Sequence, residues 1–128
     1  MPKHNNVLIV SPHADDEVIG CGGVLLNHSQ NKDKISWILM TDVSQNLSFK
    51  KKRFKEINLI KKKLKIKKFI NFSLEPSSLK YSMDEYMVNK IKNEIKKINP
   101  NIIYLPHMYD IHTDHYFTTR YFLSCLKW

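Results

Sequence analysis

Near its start the chain reads VLIVSPHADDEVIG over residues 7–20, an apolar run followed at once by polar residues. The apolar residues 7–10 have the length of a buried strand. The acidic residues Asp15, Asp16 and Glu17 suit the positive N-terminal end of a helix. This stretch predicts a strand, a short polar loop and a helix, and the rest of the chain repeats the pattern.

Three more apolar runs have strand length, at residues 35–40, 69–72 and 102–105. Between the strands, apolar residues recur at the spacing of helices. The four predicted stripes are Val18, Ile19, Leu25 and Leu26; Phe54, Ile57, Ile60 and Leu64; Met87, Val88, Ile91, Ile95 and Ile98; and, in a helix starting near Asp114, Phe117, Tyr121, Phe122 and Leu126. The third helix should stop before Asn99-Pro100, because proline disfavours helix at the residue before it. Strands alternating with helices predict an α/β fold with a mainly parallel sheet and helices on both faces.

Composition and length predict one folded domain over residues 1–128. The chain is 42% hydrophobic and shows no internal repeat or linker. Its two cysteines, Cys21 and Cys125, indicate neither a disulfide framework nor a metal-binding pair, which favours a reducing compartment. We see no signal peptide and no stretch long enough to span a bilayer. A cytoplasmic location is therefore expected.

The formal net charge is +9, and 19 of the 21 basic residues are lysines. Such a charge can indicate a nucleic acid or an acidic membrane surface. It can also reflect a general bias toward lysine, asparagine and isoleucine, with the lysines forming a solvated surface. The densest basic stretch, residues 61–68, contains no arginine for paired contacts to bases. No nucleic-acid partner is expected, and nothing in the sequence indicates an oligomeric state.

A second polar loop, HMYDIHTDH at residues 107–115, follows the fourth apolar run. In open parallel sheets, ligand sites form where such loops meet beyond the carboxyl ends of the strands. His13, Asp16 and His115 then make a set of three protein ligands, as in catalytic zinc sites. The same set suits Fe²⁺. Either motif alone more often has a structural role, because acidic residues are ordinary at helix starts; together they predict a metal centre.

The neighbouring residues have roles around a metal, which would lower the pKa of a water molecule to about 7. Asp15 is placed to take the proton of that water as a general base. His112 could stabilise an oxyanion or protonate the leaving group. Asp114 or Asp110 could hold the ring N–H of a nearby histidine and so fix its tautomer.

The residues that carry these motifs resemble a known family. HADDEVIGCGG, at residues 13–23, closely resembles the His-Pro-Asp-Asp-Glu signature of the LmbE-like, or PIG-L, deacetylases, with its glycine-rich continuation. Residues 110–115 resemble the family's His-x-Asp-His motif, and Thr41-Asp42, Arg53 and Glu56 also follow the family pattern. The similarity extends from residue 7 to about residue 121.

The resemblance implies a Rossmann-like three-layer sandwich and a zinc-dependent hydrolase that removes acetyl groups from N-acetylglucosamine-type sugars or their conjugates. The small amino-sugar substrate is implied by the resemblance alone. The implied ligands are His13, Asp16 and His115, with Asp15 as the base and His112 as the acid or electrostatic partner. Asp114 is also expected to take part in catalysis, and Arg53 and Asp110 are expected to contact the substrate.

The chain departs from the family pattern in three respects. Ala14 replaces the usual proline, which removes a fixed φ from the ligand loop. Val43 stands where a glycine often follows Thr-Asp. Family members also continue well beyond the second motif, so we expect the chain to lack the family's C-terminal part. An inactive domain that binds a sugar, a protein partner or a nucleic acid is the alternative, and another acyl amide could serve as substrate.

Two structural expectations complete the sequence analysis. The glycines Gly20, Gly22 and Gly23 are expected to allow close packing of the first helix on the sheet, rather than to bind phosphate. His4 and His28 are expected to lie on the surface.

Overall fold

The computed structural model describes residues 3–43 and 45–126. The elements in chain order are β1 (Asn6–Ser11), α1 (Asp16–Gln30), β2 (Lys34–Thr41), α2 (Leu47–Lys63), β3 (Lys68–Leu74), α3 (Leu79–Ser82), α4 (Glu85–Ile98), β4 (Ile102–Tyr104) and α5 (Thr113–Cys125). The four predicted strands and four predicted helices are present, and the single turn α3 was not predicted. Helix α4 ends at Ile98, before Asn99-Pro100 as predicted, and its C-cap Asn99 has a left-handed backbone with φ 48°.

The four strands form one sheet in the order β3-β2-β1-β4, and every neighbouring pair is parallel. Val7 in the central strand β1 pairs with Ile35 of β2 on one side and with Ile102 of β4 on the other. All four carboxyl ends therefore lie at the same edge of the sheet, which is where the polar loops leave it.

Alternate residues of the strands face two separate helical layers. Val7 and its neighbours of the same parity pack with Leu25 of α1 and with Ile57 of α2. Leu8 and its neighbours pack with Phe122 of α5 and with residues of α4. Two buried clusters on opposite faces of a parallel sheet make the three-layer α/β sandwich that the sequence predicted.

Helix α1 faces the sheet with different residues from those predicted. Leu25 is fully buried, but Ile19 is 80% exposed, and Val18 and Leu26 are also exposed. The buried positions include Glu17, in the first turn. Apolar residues lie around most of the circumference of α1, so their spacing alone does not define its inner face.

The glycines of α1 also differ from the expectation. A Cβ atom added at Gly20 or Gly23 would meet nothing within 4 Å, and at Gly22 it would meet only Val18 of the same helix. These glycines therefore do not serve close packing of α1 on the sheet.

His28 is largely buried rather than on the surface, whereas His4 is exposed as expected. Nδ1 of His28 lies 2.6 Å from Oδ2 of Asp33, and Nε2 lies 2.9 Å from the hydroxyl of Tyr104. Asp33 also accepts the backbone N–H of Asn5 at 2.7 Å. These bonds fasten the C-terminal end of α1 to the start of β1 and to β4.

Within the described residues, no helix has both the length and the apolar character needed to cross a membrane.

Candidate metal centre

The loop between β1 and α1 is held in shape by backbone hydrogen bonds. The carbonyl oxygen of Pro12 accepts the backbone N–H of Thr41 at 3.1 Å and its hydroxyl at 2.7 Å. The backbone N–H of His13 donates to Oδ2 of Asp16 at 2.8 Å, so this carboxylate closes the turn. His13 and Asp16 lie on one side of the loop, and Asp16 is the first residue of α1.

The loop between β4 and α5 orients the other histidines. His112 is the N-cap of α5, and its Nδ1 accepts the backbone N–H of Asp114 at 3.1 Å. Oδ1 of Asp110 accepts the backbone N–H of His112 at 2.9 Å, and Oδ2 of Asp110 lies 3.0 Å from Nδ1 of His115. These local bonds leave Nε2 of His115 directed toward the first loop.

The structure brings His13, Asp16 and His115 together. Nδ1 of His13 lies 3.4 Å from Oδ2 of Asp16, and Nε2 of His115 lies 3.3 Å from the same oxygen. The ligand atoms of all three lie within 4.8 Å of one another. Ligands about 2.0–2.1 Å from a tetrahedral zinc ion are separated by about 3.3 Å. The donor types and these two distances therefore fit a divalent cation.

Two carboxylates hold the opposite ring nitrogens of the candidate ligands. Nε2 of His13 lies 2.8 Å from Oδ2 of Asp114, and Nδ1 of His115 is bonded to Asp110. If each carboxylate accepts a ring N–H, Nδ1 of His13 and Nε2 of His115 carry the lone pairs that face Asp16; this tautomer is inferred from the hydrogen bonds. Such carboxylate–histidine pairs accompany metal ligands in general.

Asp114 is fully buried. Its Oδ2 also accepts the backbone N–H of Ser77 at 2.7 Å, and its Oδ1 accepts that of Leu79 at 3.4 Å. A carboxylate enclosed in this way does not reach a bound substrate. Of the roles open to Asp114, its position favours fixing the ring of His13 over direct participation in the reaction.

His13, His112 and Asp114 form a second group whose atoms lie close enough to share a cation. In this group Nε2 of His13 and Oδ2 of Asp114 are 2.8 Å apart. This is a hydrogen-bond distance, shorter than the separation between two ligands of a tetrahedral zinc ion. Nδ1 of His112 is likewise used as the cap of α5. The first group is therefore the better candidate.

Coupling between the two loops also appears in the acid–base properties of the metal-free site. The hydrogen bond to Asp16 raises the pKa of His13, burial opposes this, and the hydrogen bond to Asp114 adds to it. Burial acts to raise the pKa of Asp16, but hydrogen bonds from His13 and the charge of His115 outweigh it, so the pKa is lowered. The pKa of Asp110 is also lowered, mainly because its carboxylate accepts a hydrogen bond from the backbone N–H of His112. Without a cation, protons thus concentrate on histidine and negative charge on the carboxylates.

Two clefts flank the candidate ligands. One, of about 280 Å³, lies between the start of α1 and the loop after β4, and Asp110 and His115 line it together with Ile19 and Gly20. The other, of about 140 Å³, is lined by Asp15 and His13. Asp15 is exposed and lines the second cleft.

Helix α2 closes the far side of this second cleft with Phe49 and Arg53. Arg53 pairs with Glu56 at 3.1 Å and is about one-third exposed. Asp42, also in the lining, pairs with Lys50 at 3.1 Å. Arg53 thus lies beside the candidate site, and its contact with a substrate remains a prediction.

Sequence reasoning missed the segment after β3. The loop of residues 75–78, between β3 and α3, contacts Asp114 through its backbone, and the sequence did not predict this contact. The available signal was positional, because this loop also leaves the sheet at the carboxyl edge. Glu17 was also missed: it is buried directly behind the ligand loop, and its Oε2 has no hydrogen-bond partner among the described residues.

Residues 8–126 match the family model described as PIG-L, GlcNAc-PI de-N-acetylase. Comparison with curated protein sequences gives no match.

Several solved structures share the fold. A conserved protein from Thermus thermophilus superposes with a TM-score of 0.81 and 21% identity, over 94% of this chain and 55% of that one. The N,N′-diacetylchitobiose deacetylase from Pyrococcus horikoshii superposes with a TM-score of 0.78 and 25% identity, over 93% of this chain and 48% of that one. The 4-carboxy-2-hydroxymuconate hydratase from Pseudomonas putida superposes with a TM-score of 0.78 and 15% identity, over 93% of this chain and 54% of that one. The chain spans about half the length of these proteins, and the fold by itself carries more than one chemistry.

Proposed function

The chain belongs to the PIG-L family, and from that membership we propose that it is a metal-dependent hydrolase acting on an amino sugar. In this proposal it removes the acetyl group from an N-acetylglucosamine-type sugar or its conjugate. The observation that carries the proposal is the convergence of Nδ1 of His13, Oδ2 of Asp16 and Nε2 of His115, with both other ring nitrogens held by carboxylates. With both rings neutral, a divalent cation would satisfy the inward-facing atoms.

We propose Zn²⁺ as the cation, with Fe²⁺ as the alternative that the same donors accept. When bound, a divalent ion supplies Lewis acidity, which polarises a carbonyl and yields a nucleophilic water at neutral pH. The acidic residues at this edge of an otherwise basic protein include Asp15, Asp16, Asp42, Asp110 and Asp114. Their negative charge attracts a cation to the site.

The protein's own residues divide the proton transfers. Asp15, exposed in the second cleft, takes the proton from the attacking water. His112 uses its Nδ1 as a hydrogen-bond acceptor, so the neutral ring carries its proton on Nε2. That N–H can donate a hydrogen bond to the oxyanion, and the proton that Asp15 has taken from the water then goes to the departing nitrogen. Water adds to the amide carbonyl, the C–N bond breaks, and acetate and the free amine leave.

The proposed substrate-binding roles of Arg53 and Asp110 are supported by their positions in the two clefts. Arg53 presents a guanidinium suited to sugar hydroxyls or to an anionic substituent. Asp110 can accept a hydrogen bond from a substrate hydroxyl while it continues to hold the ring of His115. We also propose a cytoplasmic location, which the free state of Cys21 and Cys125 supports.

Metal analysis together with an acetate-release assay on N-acetylglucosamine conjugates tests the proposal. We expect about one divalent ion per chain, loss of that ion in His13→Ala, and its retention in Asp15→Asn. Acetate release by Asp15→Asn should fall about 10²- to 10⁴-fold, the usual contribution of a general base. His4→Ala, an exposed histidine at the opposite end of the sheet, is the matched control. A wild-type protein without affinity for divalent ions, or a fully active Asp15→Asn, contradicts the proposal.

A domain that binds sugar without turning it over is the second candidate. It is favoured by the size of the cleft beside Asp15, about 140 Å³, against the roughly 300–1,000 Å³ of typical small-molecule sites. Calorimetry would then show metal-dependent binding of an amino sugar, with no acetate released by the wild type.

A further inference from the structure

The outer surface of α1 carries no charge. From Val18 to the end of the helix the sequence has no aspartate, glutamate, lysine or arginine. Ile19, Gly23 and Leu26 follow the spacing of one helical face, and all three are exposed. Ile19 is 80% exposed. An apolar strip therefore faces solvent along the length of α1.

The outer surface of α2 is basic. Exposed residues recur along it at intervals of three or four, namely Lys52, Lys55, Leu59 and Lys62, and the exposed Lys63 lies next to Lys62. Among the described residues, none of these lysines lies within 4 Å of a carboxylate oxygen. Glu56, the single acidic residue of α2, is paired with Arg53. The positive charge of this surface is thus not neutralised within the protein.

The two helices lie on the same side of the sheet, and a groove of about 300 Å³ runs between them. Val18 and Leu26 of α1 line it opposite Ile60 of α2, with Lys63 at its border. Gly23 and Leu26 of the apolar strip and Lys63 of the lysine row thus border the same groove. We call the outer surface of these two helices the α1–α2 face.

We propose that the α1–α2 face binds the surface of an anionic lipid bilayer. Apolar side chains beside a row of lysines are the composition of segments that lie in the membrane interface. The lysines would meet lipid phosphates, while Ile19, Leu26 and Leu59 would enter the boundary between headgroups and acyl chains. This inference does not depend on the proposed deacetylase activity.

Charge and side-chain chemistry favour a bilayer over other occupants. A second copy of the chain on this face would bring two lysine rows together, at a cost in like-charge repulsion. A nucleic acid would neutralise the lysines but leave Ile19 and Leu59 without a partner, since aliphatic side chains do not provide the stacking that bases use. An anionic bilayer satisfies both parts of the face.

Vesicle flotation with the full chain tests the proposal. We expect binding to vesicles of phosphatidylcholine mixed with phosphatidylglycerol, little binding to phosphatidylcholine alone, and weaker binding at high salt. The variant K52S/K55S/K62S should bind the anionic vesicles about a hundredfold less well, from the usual contribution of a basic side chain near such a surface. Ile19→Ser should also weaken binding.

Matched controls separate this face from the net charge of the protein. K80S/K92S/K96S removes the same three charges from exposed positions of α3 and α4, on the other side of the sheet, and should change binding less than threefold or so. Tyr86→Ser removes an exposed ring from α4 and should have no effect. Equal losses in the two triple variants, or no preference for anionic vesicles, overturns the proposal. So does salt-sensitive binding to nucleic acid without vesicle binding, or self-association that Ile19→Ser abolishes.

Discussion

The buried carboxyl group of Glu17 should make the metal-free protein less stable as pH rises. Burial is the main cause that raises its pKa to about 7 from the 4.5 of a free glutamate, and the charges of Asp15 and Asp16 add to the effect. Because the folded-state pKa lies above the unfolded one, the unfolded chain releases this proton first. The contribution to stability is therefore fully present below pH 4.5 and is lost as pH rises through about 7.

The magnitude follows from the same two values. Each pH unit between 4.5 and about 7 lowers the free energy of unfolding by about 1.36 kcal/mol, a total of roughly 3 kcal/mol. Glu17→Gln has nearly the shape of the protonated acid and cannot ionise. We expect the variant to match the wild type near pH 4.5 and to exceed its stability by up to about 3 kcal/mol at pH 8.

Urea unfolding at a series of pH values, with chelator present and buried Trp37 as the fluorescent probe, measures this difference. Other titrating groups are common to both proteins and cancel in the comparison. Glu75→Gln removes the same charge from an exposed position and serves as the control. A difference between Glu17→Gln and the wild type that stays constant within about 0.5 kcal/mol from pH 5 to 8 refutes the reasoning.

Three further predictions follow from the structure. Asp114→Asn should weaken metal binding about 10- to 100-fold by releasing the ring of His13, measured by competition with a chromophoric chelator; unchanged affinity would contradict the positioning role. Gly23→Ala should raise stability by about 1 kcal/mol in thermal unfolding, because it lies inside α1 with open space where the methyl group would go. Asp33→Asn should cost about 2 kcal/mol at neutral pH. That cost should shrink in acid. The hydrogen bond from the backbone N–H of Asn5, and after it the bond to His28, lower the pKa of Asp33 in the folded protein. The carboxylate's contribution to stability is therefore present above the unfolded-state pKa and is lost as pH falls through the folded-state pKa.

The fold could be predicted because its signals are local and repeated. The run at residues 7–10 and the three similar runs each specify a strand, and their alternation with helical stripes leaves a parallel sheet as the simplest arrangement. The stripes of α2 and α4 agree with the buried clusters. Parallel strands then place His13 and His115 at one edge, without any information about distance in space.

Predictions failed where side chains depend on neighbours distant in the sequence. Leu25 and Ile19 are both apolar, and only packing against β1 and β2 decides that the first is buried and the second exposed. Glu17 reads as an ordinary acidic residue at a helix start, yet it occupies the inner face of α1. Asp114 acquires its role from the backbone of residues 77–79, and no motif within α5 indicates that contact.

The bond between His13 and Asp114 joins residues 101 positions apart. During synthesis the first loop leaves the ribosome long before α5 does, so a nascent chain carries His13 and Asp16 without His115 or either supporting carboxylate. The site can therefore assemble only after nearly all of the described chain has emerged. Until its last helix is made, a growing polypeptide of this sequence therefore carries only two of the three candidate ligands.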